Sequence, residues 1–394
     1  MLKRAVENIG KVGRYGVKGS FLKLIERLGT AFGVYRRLAR LIFAPACRGR
    51  RILGVWDYRA LPWSFGDPLV FIERLSVLKL ESAAEAVDVC VIYDREDPMG
   101  HRTPPGGGIV TPENAQDYML ELLPLFSTSP YLGSVFQFDS RDEFYSFIKT
   151  NLQRYDIFPP LWEHLAEAYN YDGGAMDYVE VQKFHKNHGY VPHLRVGLRD
   201  MAWANWFYKK RLSQDSVPVT ISLRQSREPN ERNADVKVWM TFMDRCSEVF
   251  PEVVFVIVGL REEAHDELRA RRNVIFSKDH GTSVMEDLAL IRASLMYMGT
   301  TSGVNTIAQF SDLPYIIVQL PLQSLRNLGI KAGENVSFAT AQQKVFTVET
   351  AVTPELLFAE FQGMYPSLDR CGWHNRMSKT AQNKNTHPST HPGS

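Results

Sequence analysis

The chain has 394 residues, of which 44% are hydrophobic and 23% are charged, the composition of a soluble globular protein long enough for two domains. It has no run of about 18 apolar residues, so we expect no transmembrane helix, and its start lacks the apolar core and cleavage site of a signal peptide. The four cysteines are widely scattered, which favours a reducing compartment and hence a cytoplasmic protein.

The beginning of the chain is strongly basic. Residues 1–51 carry 13 Lys or Arg against only Glu7 and Glu26, a net charge of +11, whereas the whole chain carries +2. Between Phe21 and Phe43 apolar residues recur at steps of three or four, which predicts a basic amphipathic helix. Such a helix can lie on an anionic membrane, where each basic residue contributes roughly 1 kcal/mol, or it can pack on the body of the protein. Nucleic acid is not expected as a partner, because the acidic body does not interleave basic and aromatic residues.

Strands and helices alternate from residue 52 onwards. "RILGVWDY" indicates a strand, "SFGDPLVFIERLSVLKLES" a turn and a helix, and "AVDVCVIYD" a second strand. This βαβ spacing is typical of a parallel sheet. Beyond a Pro- and Gly-rich loop come helix-like "AQDYMLELLPLF", strand-like "GSVFQF" and amphipathic "SRDEFYSFIKTNLQRY". We predict a first α/β domain over residues 52–205, in which the pattern after residue 155 is hard to interpret.

A second α/β series begins near Ser216. The strands "VPVTISLR", "EVVFVIVG", "NVIFS", "LMYMG" and "PYIIV" alternate with helices. The pattern predicts a doubly wound sheet over residues 206–350, and ligands bind such sheets at the carboxyl ends of the strands. Residues 351–375 are expected to form a helix that returns toward the first domain. Residues 376–394 lack apolar periodicity and are expected to be a disordered tail.

Three strand ends of the second series carry residues that suit a diphosphate. Arg224 and Ser226 follow the first strand, Lys278 and His280 the third, and Thr300, Thr301, Ser302 and Gly303 the fourth. Since these ends share one edge of the sheet, their cations, hydroxyls and backbone amides are expected to bind a diphosphate without a metal. The Gly-Thr-Thr-Ser-Gly turn can equally be an ordinary connection from strand to helix. Neither a P-loop nor a G-x-G-x-x-G motif occurs, which disfavours an NTPase or a dehydrogenase.

Two stretches resemble glycosyltransferases of the GT-B type, above all the heptosyltransferase-like branch and more loosely the fucosyltransferases. "MGTTSGVNTIAQFSDLPYIIV" has that branch's strand, Gly-x-x-Ser-Gly turn, helix and Pro-containing strand, and "SFGDPLVFIERL" has its Gly-Asp turn before the first helix. The sequence has Thr301 and Asn305 where heptosyltransferases usually have Asp and His. The resemblance implies two Rossmann-like doubly wound domains facing a cleft, with the acceptor on the first domain and a nucleotide-sugar donor on the second.

The resemblance also assigns a role to Asp67, as the base that deprotonates the acceptor hydroxyl. Because Asp67 precedes Pro68, it can instead cap a helix that begins there, and one residue can do both. Glu286 stands at the start of a predicted helix. It is a candidate for ribose recognition, although the helix dipole alone favours a negative charge at this position.

Candidates for acceptor binding are His185, His188 and Arg195, of which Arg195 suits an anionic sugar and can equally be a surface charge. Together with His193, the histidines do not have the spacing of a zinc site. No carboxylate pair suited to Mg²⁺ on a diphosphate occurs either. We therefore expect no metal and no cofactor, the nucleotide-sugar being a co-substrate.

These observations lead us to expect a glycosyltransferase that moves a sugar from a nucleotide-activated donor to a glycan or lipid-linked saccharide. The resemblance implies metal-independent, inverting transfer in surface polysaccharide or lipopolysaccharide synthesis. Residues 1–51 are expected to hold the enzyme peripherally on the inner face of the membrane. The alternatives are a sugar-nucleotide epimerase of the same architecture and a non-catalytic nucleotide-binding relative.

Overall fold

The computed structural model describes residues 50–96, 110–159, 178–226, 230–263 and 265–374. The predicted amphipathic helix between Phe21 and Phe43 and the predicted tail over 376–394 lie outside the described residues. No helix within the described ranges combines the length and the apolar character that crossing a membrane requires.

A parallel four-stranded sheet forms the first half. Its elements are β1 (Arg51–Asp57), α1 (Gly66–Glu81), β2 (Val87–Ile92), α2 (Ala115–Leu122), β3 (Leu132–Phe138), α3 (Arg141–Asn151) and β4 (Tyr155–Phe158). The strand order is β3-β2-β1-β4. Helices cover both faces of β1: Trp56 meets Phe71 of α1 on one face, and Val55 packs with Phe144 of α3 on the other. β4, which the sequence pattern does not predict, pairs in parallel with β1.

Two helices then lead from the first sheet to the second, α4 (Tyr178–His188) and α5 (Leu198–Arg211). The remaining elements are β5 (Val217–Ser222), α6 (Val236–Val249), β6 (Val253–Ile257), α7 (Asp266–Arg269), β7 (Val274–Phe276), α8 (Val284–Ala293), β8 (Met296–Thr300), α9 (Thr306–Gln309), β9 (Tyr315–Leu320), α10 (Leu322–Leu328), β10 (Gln343–Thr347) and α11 (Pro354–Met364).

The second sheet has six parallel strands in the order β10-β9-β8-β5-β6-β7. All five strands predicted from the sequence are present, and β10 adds a sixth at one edge. The strand order reverses between β5 and β8. In an open α/β sheet this reversal opens a crevice at the carboxyl ends of the strands, where ligands bind.

Two helices lie elsewhere than the sequence suggests. α5 packs on α8, and the Tyr208 hydroxyl of α5 donates to the Leu290 carbonyl of α8 at 2.7 Å. α5 therefore belongs with the second sheet, and the expected domain boundary between residues 205 and 206 falls inside this helix. α11 packs on α6, with the rings of Phe361 and Phe242 5.9 Å apart. The expected return of 351–375 toward the first domain is therefore not observed, because the apolar face of α11 is buried on the second half.

α4 connects the two halves physically. It packs on α1 of the first half and on α10 of the second. The Tyr178 hydroxyl at its start donates to Gln309 Oε1 at 2.9 Å. Beyond α4, the Leu194 amide donates to the Phe310 carbonyl at 3.1 Å. These contacts position the carboxyl ends of the two sheets against each other.

Candidate functional site

A cavity of about 840 Å³ lies between the carboxyl ends of the two sheets. Its first wall comes from the loop after β1, together with Tyr118 of α2 and Tyr178 of α4. Its second wall comes from the loops after β5, β6, β7 and β8. The size is that of a pocket for a small molecule, and the position is the one that the strand order favours.

The two Gly-containing turns singled out in the sequence meet at this cavity. A Cβ atom added to Gly66 would lie 3.0 Å from Gly303 Cα and 3.2 Å from the Gly303 carbonyl oxygen. Gly66 belongs to the first half and Gly303 to the second. A glycine is therefore required at position 303 because the backbones of the two halves cross there. From the sequence we expected small residues in this turn to let the backbone approach a ligand.

Asp67 lines the cavity in the first turn of α1. The helix begins at Gly66, two residues earlier than expected, so Asp67 is not its N-cap. Ser64 takes part of that role: its Oγ accepts from the Asp67 amide at 3.2 Å, and its hydroxyl donates to the Asp67 carboxylate. The helix dipole still favours a charged carboxylate in this turn.

Arg224 lines the opposite wall of the cavity. Its amide donates to Thr300 Oγ1 at 2.9 Å, and Thr300 is fully buried beneath the turn rather than exposed to the cavity. The Arg224 Nε atom is buried and has no hydrogen-bond partner in the described part of the chain. Thr300 thus fixes the backbone of an arginine whose side chain has unused donor capacity.

Arg232 is a second guanidinium on the same wall. Burial lowers its pKa, the charge of Arg224 lowers it further, and Asp67 opposes this effect. The loop between the two arginines is held at Ser226, which exchanges backbone hydrogen bonds of 2.9 and 3.1 Å with the Asn233 side chain. Two like charges in one partly buried cavity favour an anionic ligand.

The turn after β8 contributes Thr301, Ser302 and Asn305 to the cavity. Thr301 is tied to β9, because its amide donates to the Val318 carbonyl at 3.0 Å. Asn305 is only 3% exposed, and its Nδ2 atom has no acceptor among the described residues. The sequence drew attention to Asn305 only as a departure from the heptosyltransferase pattern, and the structure shows an unsatisfied donor at that position.

Lys278 also lines the cavity, but its charge is already compensated. Its Nζ atom lies 2.9 Å from Asp287 Oδ2 and donates to the Thr282 carbonyl at 2.6 Å. Asp287 is 2% exposed, and burial raises the pKa of its carboxyl while Lys278 opposes that rise. The sequence did not identify Asp287, although it is the acidic residue of α8 that reaches the cavity.

Glu286 and His280 do not line the cavity. The Glu286 carboxylate accepts from the Ser283 amide at 2.8 Å in a capping box, so it stabilises the start of α8. His280 is largely exposed, and its Nδ1 atom lies 3.2 Å from a guanidinium nitrogen of Arg211 in α5. Partial burial of the imidazole and the charge of Arg211 both lower the pKa of His280. The structure therefore places both residues outside the proposed donor site.

None of the three residues selected for the acceptor lines the cavity. α4 presents Tyr178 there, and His185 lies seven residues farther along, about 10 Å down the helix axis. His188 is exposed with its ring 4.3 Å from that of Phe184, and the Arg195 side chain is exposed. The first wall instead carries Trp63, Phe65, Tyr118 and Glu121. The described residues contain no group of three or more His, Cys, Asp or Glu placed to hold a metal ion.

No protein-family model matches the chain, and no curated protein matches its sequence. Solved structures do match. The ADP-heptose LPS heptosyltransferase II of E. coli aligns with a TM-score of 0.52 and 11% identity, covering 80% of this chain and 98% of that chain. A glycosyl transferase family 9 protein from Veillonella parvula has a TM-score of 0.49 and 11% identity, over 86% and 98% of the two chains. A putative UDP-N-acetylglucosamine 2-epimerase from Listeria monocytogenes has a TM-score of 0.37 and 10% identity, over 84% and 91%.

The first of these similarities agrees with the two parallel sheets, the strand order and the cavity between them. At this level of identity it concerns the fold. The chain has a GT-B, heptosyltransferase-like fold.

Proposed function

We propose that the chain is a glycosyltransferase that binds a nucleotide-activated sugar in the cavity between its two sheets. The observation that carries the proposal is a pair of buried, unpartnered donors on one wall, Arg224 Nε and Asn305 Nδ2. Leaving such groups without an acceptor costs free energy, about 1–3 kcal/mol each. A diphosphate supplies several acceptor oxygens and a charge opposite to that of Arg224 and Arg232.

The proposed chemistry is transfer with inversion. The acceptor hydroxyl oxygen forms a bond to the anomeric carbon, the bond from that carbon to the diphosphate breaks, and Asp67 takes the hydroxyl proton. Negative charge grows on the departing diphosphate, next to the two arginines, which stabilises the transition state. Asp67 lies on the first wall, opposite the two arginines, where a base for the acceptor hydroxyl is needed. The close approach of Gly66 to Gly303 holds the Asp67 turn near the turn after β8.

Transfer in this cavity is proposed to need no metal, since Arg224 and Arg232 supply positive charge where the leaving group sits. Activity that persists in excess EDTA is the expected result. Activity that disappears in EDTA and returns with Mg²⁺ or Mn²⁺ would remove this part of the proposal.

The acceptor is proposed to be a glycan or lipid-linked saccharide used in surface polysaccharide synthesis. The aromatic first wall supports a sugar acceptor, because Trp63, Phe65 and Tyr118 line it and Glu121 adds a carboxylate that can accept hydrogen bonds from sugar hydroxyls.

Arg50 and Arg51 of the basic segment pair with Asp156 and Asp88 of the first domain. The remaining residues 1–49, with 11 Lys or Arg against two Glu and a net charge of +9, are proposed to hold the enzyme on the anionic inner face of a membrane.

A panel of nucleoside diphosphates and nucleotide sugars tests the donor site. One or more members should raise the melting temperature and bind in calorimetry, and Arg224→Ala should weaken that binding by about 1.5–3 kcal/mol, roughly 10- to 150-fold. Arg272→Ala is the control, because Arg272 is exposed and lies outside the cavity wall. Failure of the whole panel to bind would contradict the proposal. Interconversion of the bound sugar nucleotide without transfer would identify an epimerase instead.

A further inference from the structure

Three hydroxyl groups form a continuous chain from the core of the second sheet to the cavity. The Tyr297 hydroxyl donates to Ser222 Oγ at 3.0 Å, and Ser222 Oγ lies 2.7 Å from Ser302 Oγ. Tyr297 is fully buried and Ser222 is 3% exposed. Ser222 and Ser302 both line the cavity, so the chain runs from the buried Tyr297 hydroxyl into the proposed donor site.

Gly299 makes this chain possible. β5 and β8 are paired so that Ser222 lies opposite Gly299, two residues beyond Tyr297 on the same face of β8. A Cβ atom at position 299 would lie 2.9 Å from the Tyr297 hydroxyl and would collide with the Ser222 carbonyl oxygen. The absence of a side chain at Gly299 therefore lets the Tyr297 ring extend along the strand to Ser222. The first glycine of the Gly-Thr-Thr-Ser-Gly turn serves this contact.

The arrangement allows a proton order that points into the cavity. Burial raises the pKa of Tyr297 to about 12, so its hydroxyl keeps its proton at neutral pH and is available to donate it. Ser222 Oγ is the acceptor. Either of the Ser222 and Ser302 hydroxyls can donate to the other, and in the order that leaves a donor for the cavity Ser222 donates to Ser302 Oγ. Ser302 then accepts one hydrogen bond and retains its proton for a donation into the cavity. Each bond in such a chain polarises the next, which strengthens the terminal donor.

We propose that Tyr297 and Ser222 are positioning residues that hold the Ser302 hydroxyl as a hydrogen-bond donor to the diphosphate of the bound nucleotide. This inference rests on the proposed donor site and adds a specific function for Ser302. Without the two buried hydroxyls, Ser302 can turn its proton back toward the protein, and an anion in the cavity then meets a lone pair.

The test is a double-mutant cycle read by calorimetric titration with ADP, GDP and UDP. Tyr297→Phe and Ser222→Ala should each weaken binding of the best ligand about 3- to 10-fold, the size of one neutral hydrogen bond. Ser302→Ala should weaken binding at least as much. In the Ser302→Ala background, Tyr297→Phe should have no further effect, because the hydroxyl that it orients is gone.

Tyr315→Phe is the matched control, since Tyr315 is buried on the neighbouring strand β9 and is not a cavity residue. Binding by this variant should equal that of the unaltered protein. If Tyr297→Phe weakens binding equally with and without Ser302, or if neither Tyr297→Phe nor Ser222→Ala weakens it, the relay is refuted while the donor site stands. If the unaltered protein binds neither these three nucleotides nor any other member of the nucleotide and nucleotide-sugar panel, the proposed function fails and the relay fails with it.

Discussion

The backbone of Gly303 lies against the backbone of Gly66, where the two halves of the protein meet. A Cβ atom at Gly303 would stand 2.6 Å from the Gly66 amide nitrogen and 3.0 Å from Phe65 Cβ. This contact sets the separation between Asp67 on one wall of the cavity and Ser302 on the other. The geometry of the proposed reaction therefore depends on a crossing that only glycine permits.

Gly303→Ala should push the two turns apart. Overpacking of this kind costs about 1–3 kcal/mol of stability, and a misplacement of reacting groups by about 1 Å can cost about 100-fold in rate. We expect transfer to fall at least 10-fold, with nucleotide affinity changed much less because its main contacts lie on the second half. Gly363→Ala is the control: a Cβ atom there meets nothing within 4 Å, and alanine should stabilise α11 by up to about 1 kcal/mol. Unchanged transfer by Gly303→Ala would show that the crossing does not control the site.

Lys278, which the sequence analysis assigned to ligand binding, forms a buried ion pair with Asp287, so we expect its removal to lower the free energy of unfolding. Removing one partner of a buried ion pair leaves the other charge unpaired and costs about 3–5 kcal/mol. Lys278→Met should therefore lose stability of that order in urea unfolding, and Lys278→Met with Asp287→Leu should recover most of it. A Lys278→Met protein as stable as the unaltered one would show that Asp287 does not need this partner.

Glu73 should make the protein less stable as the pH rises. Its side chain is fully buried in α1, neither carboxylate oxygen has a partner among the described residues, and burial raises its pKa well above 4.5. The folded state thus holds the proton more tightly than the unfolded state. The associated stability is complete below the unfolded pKa and is lost as the pH rises through the folded pKa.

Glu73→Gln should remove that decline, so its melting temperature should fall less than that of the unaltered protein between about pH 5 and 9. Glu355→Gln is the control, because Glu355 is exposed and its charge stays in water. Parallel profiles for Glu73→Gln and the unaltered protein would show that Glu73 does not titrate with folding.

The alternation of strands and helices could be predicted because strands buried on both faces are nearly continuous apolar runs, as in "VPVTISLR" and "PYIIV". Thr301, Ser302 and Gly303 were expected at a ligand site because the carboxyl ends of parallel strands share an edge, and Asp67 was expected opposite them because the resemblance to GT-B glycosyltransferases implies two facing domains; all four line the cavity.

Side-chain direction could not be predicted in the same way. Glu286 and Asp287 are adjacent in sequence but point about 100° apart on α8, and only the packing of α8 decides which reaches the cavity. His185 and His188 follow Tyr178 in α4, whose orientation is set by contacts with both halves. The link from Tyr297 to Ser302 depends on a ring lying along β8, which the spacing of residues does not reveal.

Residues 1–49, outside the described part of the chain, give a prediction about location. Deleting them removes most of the positive charge of the basic segment and should abolish cosedimentation with liposomes that contain anionic lipid, because the electrostatic attraction is lost. Turnover on a soluble acceptor should persist. Liposomes of neutral lipid are the control. Equal binding by the full chain and the truncated chain would mean that the segment packs on the protein instead.

The central claim is that the cavity performs sugar transfer with Asp67 as the base, and Asp67→Asn tests it most directly. Asparagine keeps the size of the side chain and can still accept the hydrogen bond from Ser64, so the fold should be preserved. The measurement is the release of nucleoside diphosphate from the best-binding nucleotide sugar, with a membrane glycolipid fraction as acceptor. Glu121→Gln, which alters the other carboxylate on the same wall, is the control and should stay within about 10-fold of the unaltered rate.

For Asp67→Asn we expect turnover to fall by about 100-fold or more, with nucleotide affinity and melting temperature nearly unchanged, because only the proton acceptor has been removed. Near-normal turnover by a folded Asp67→Asn protein would contradict the account.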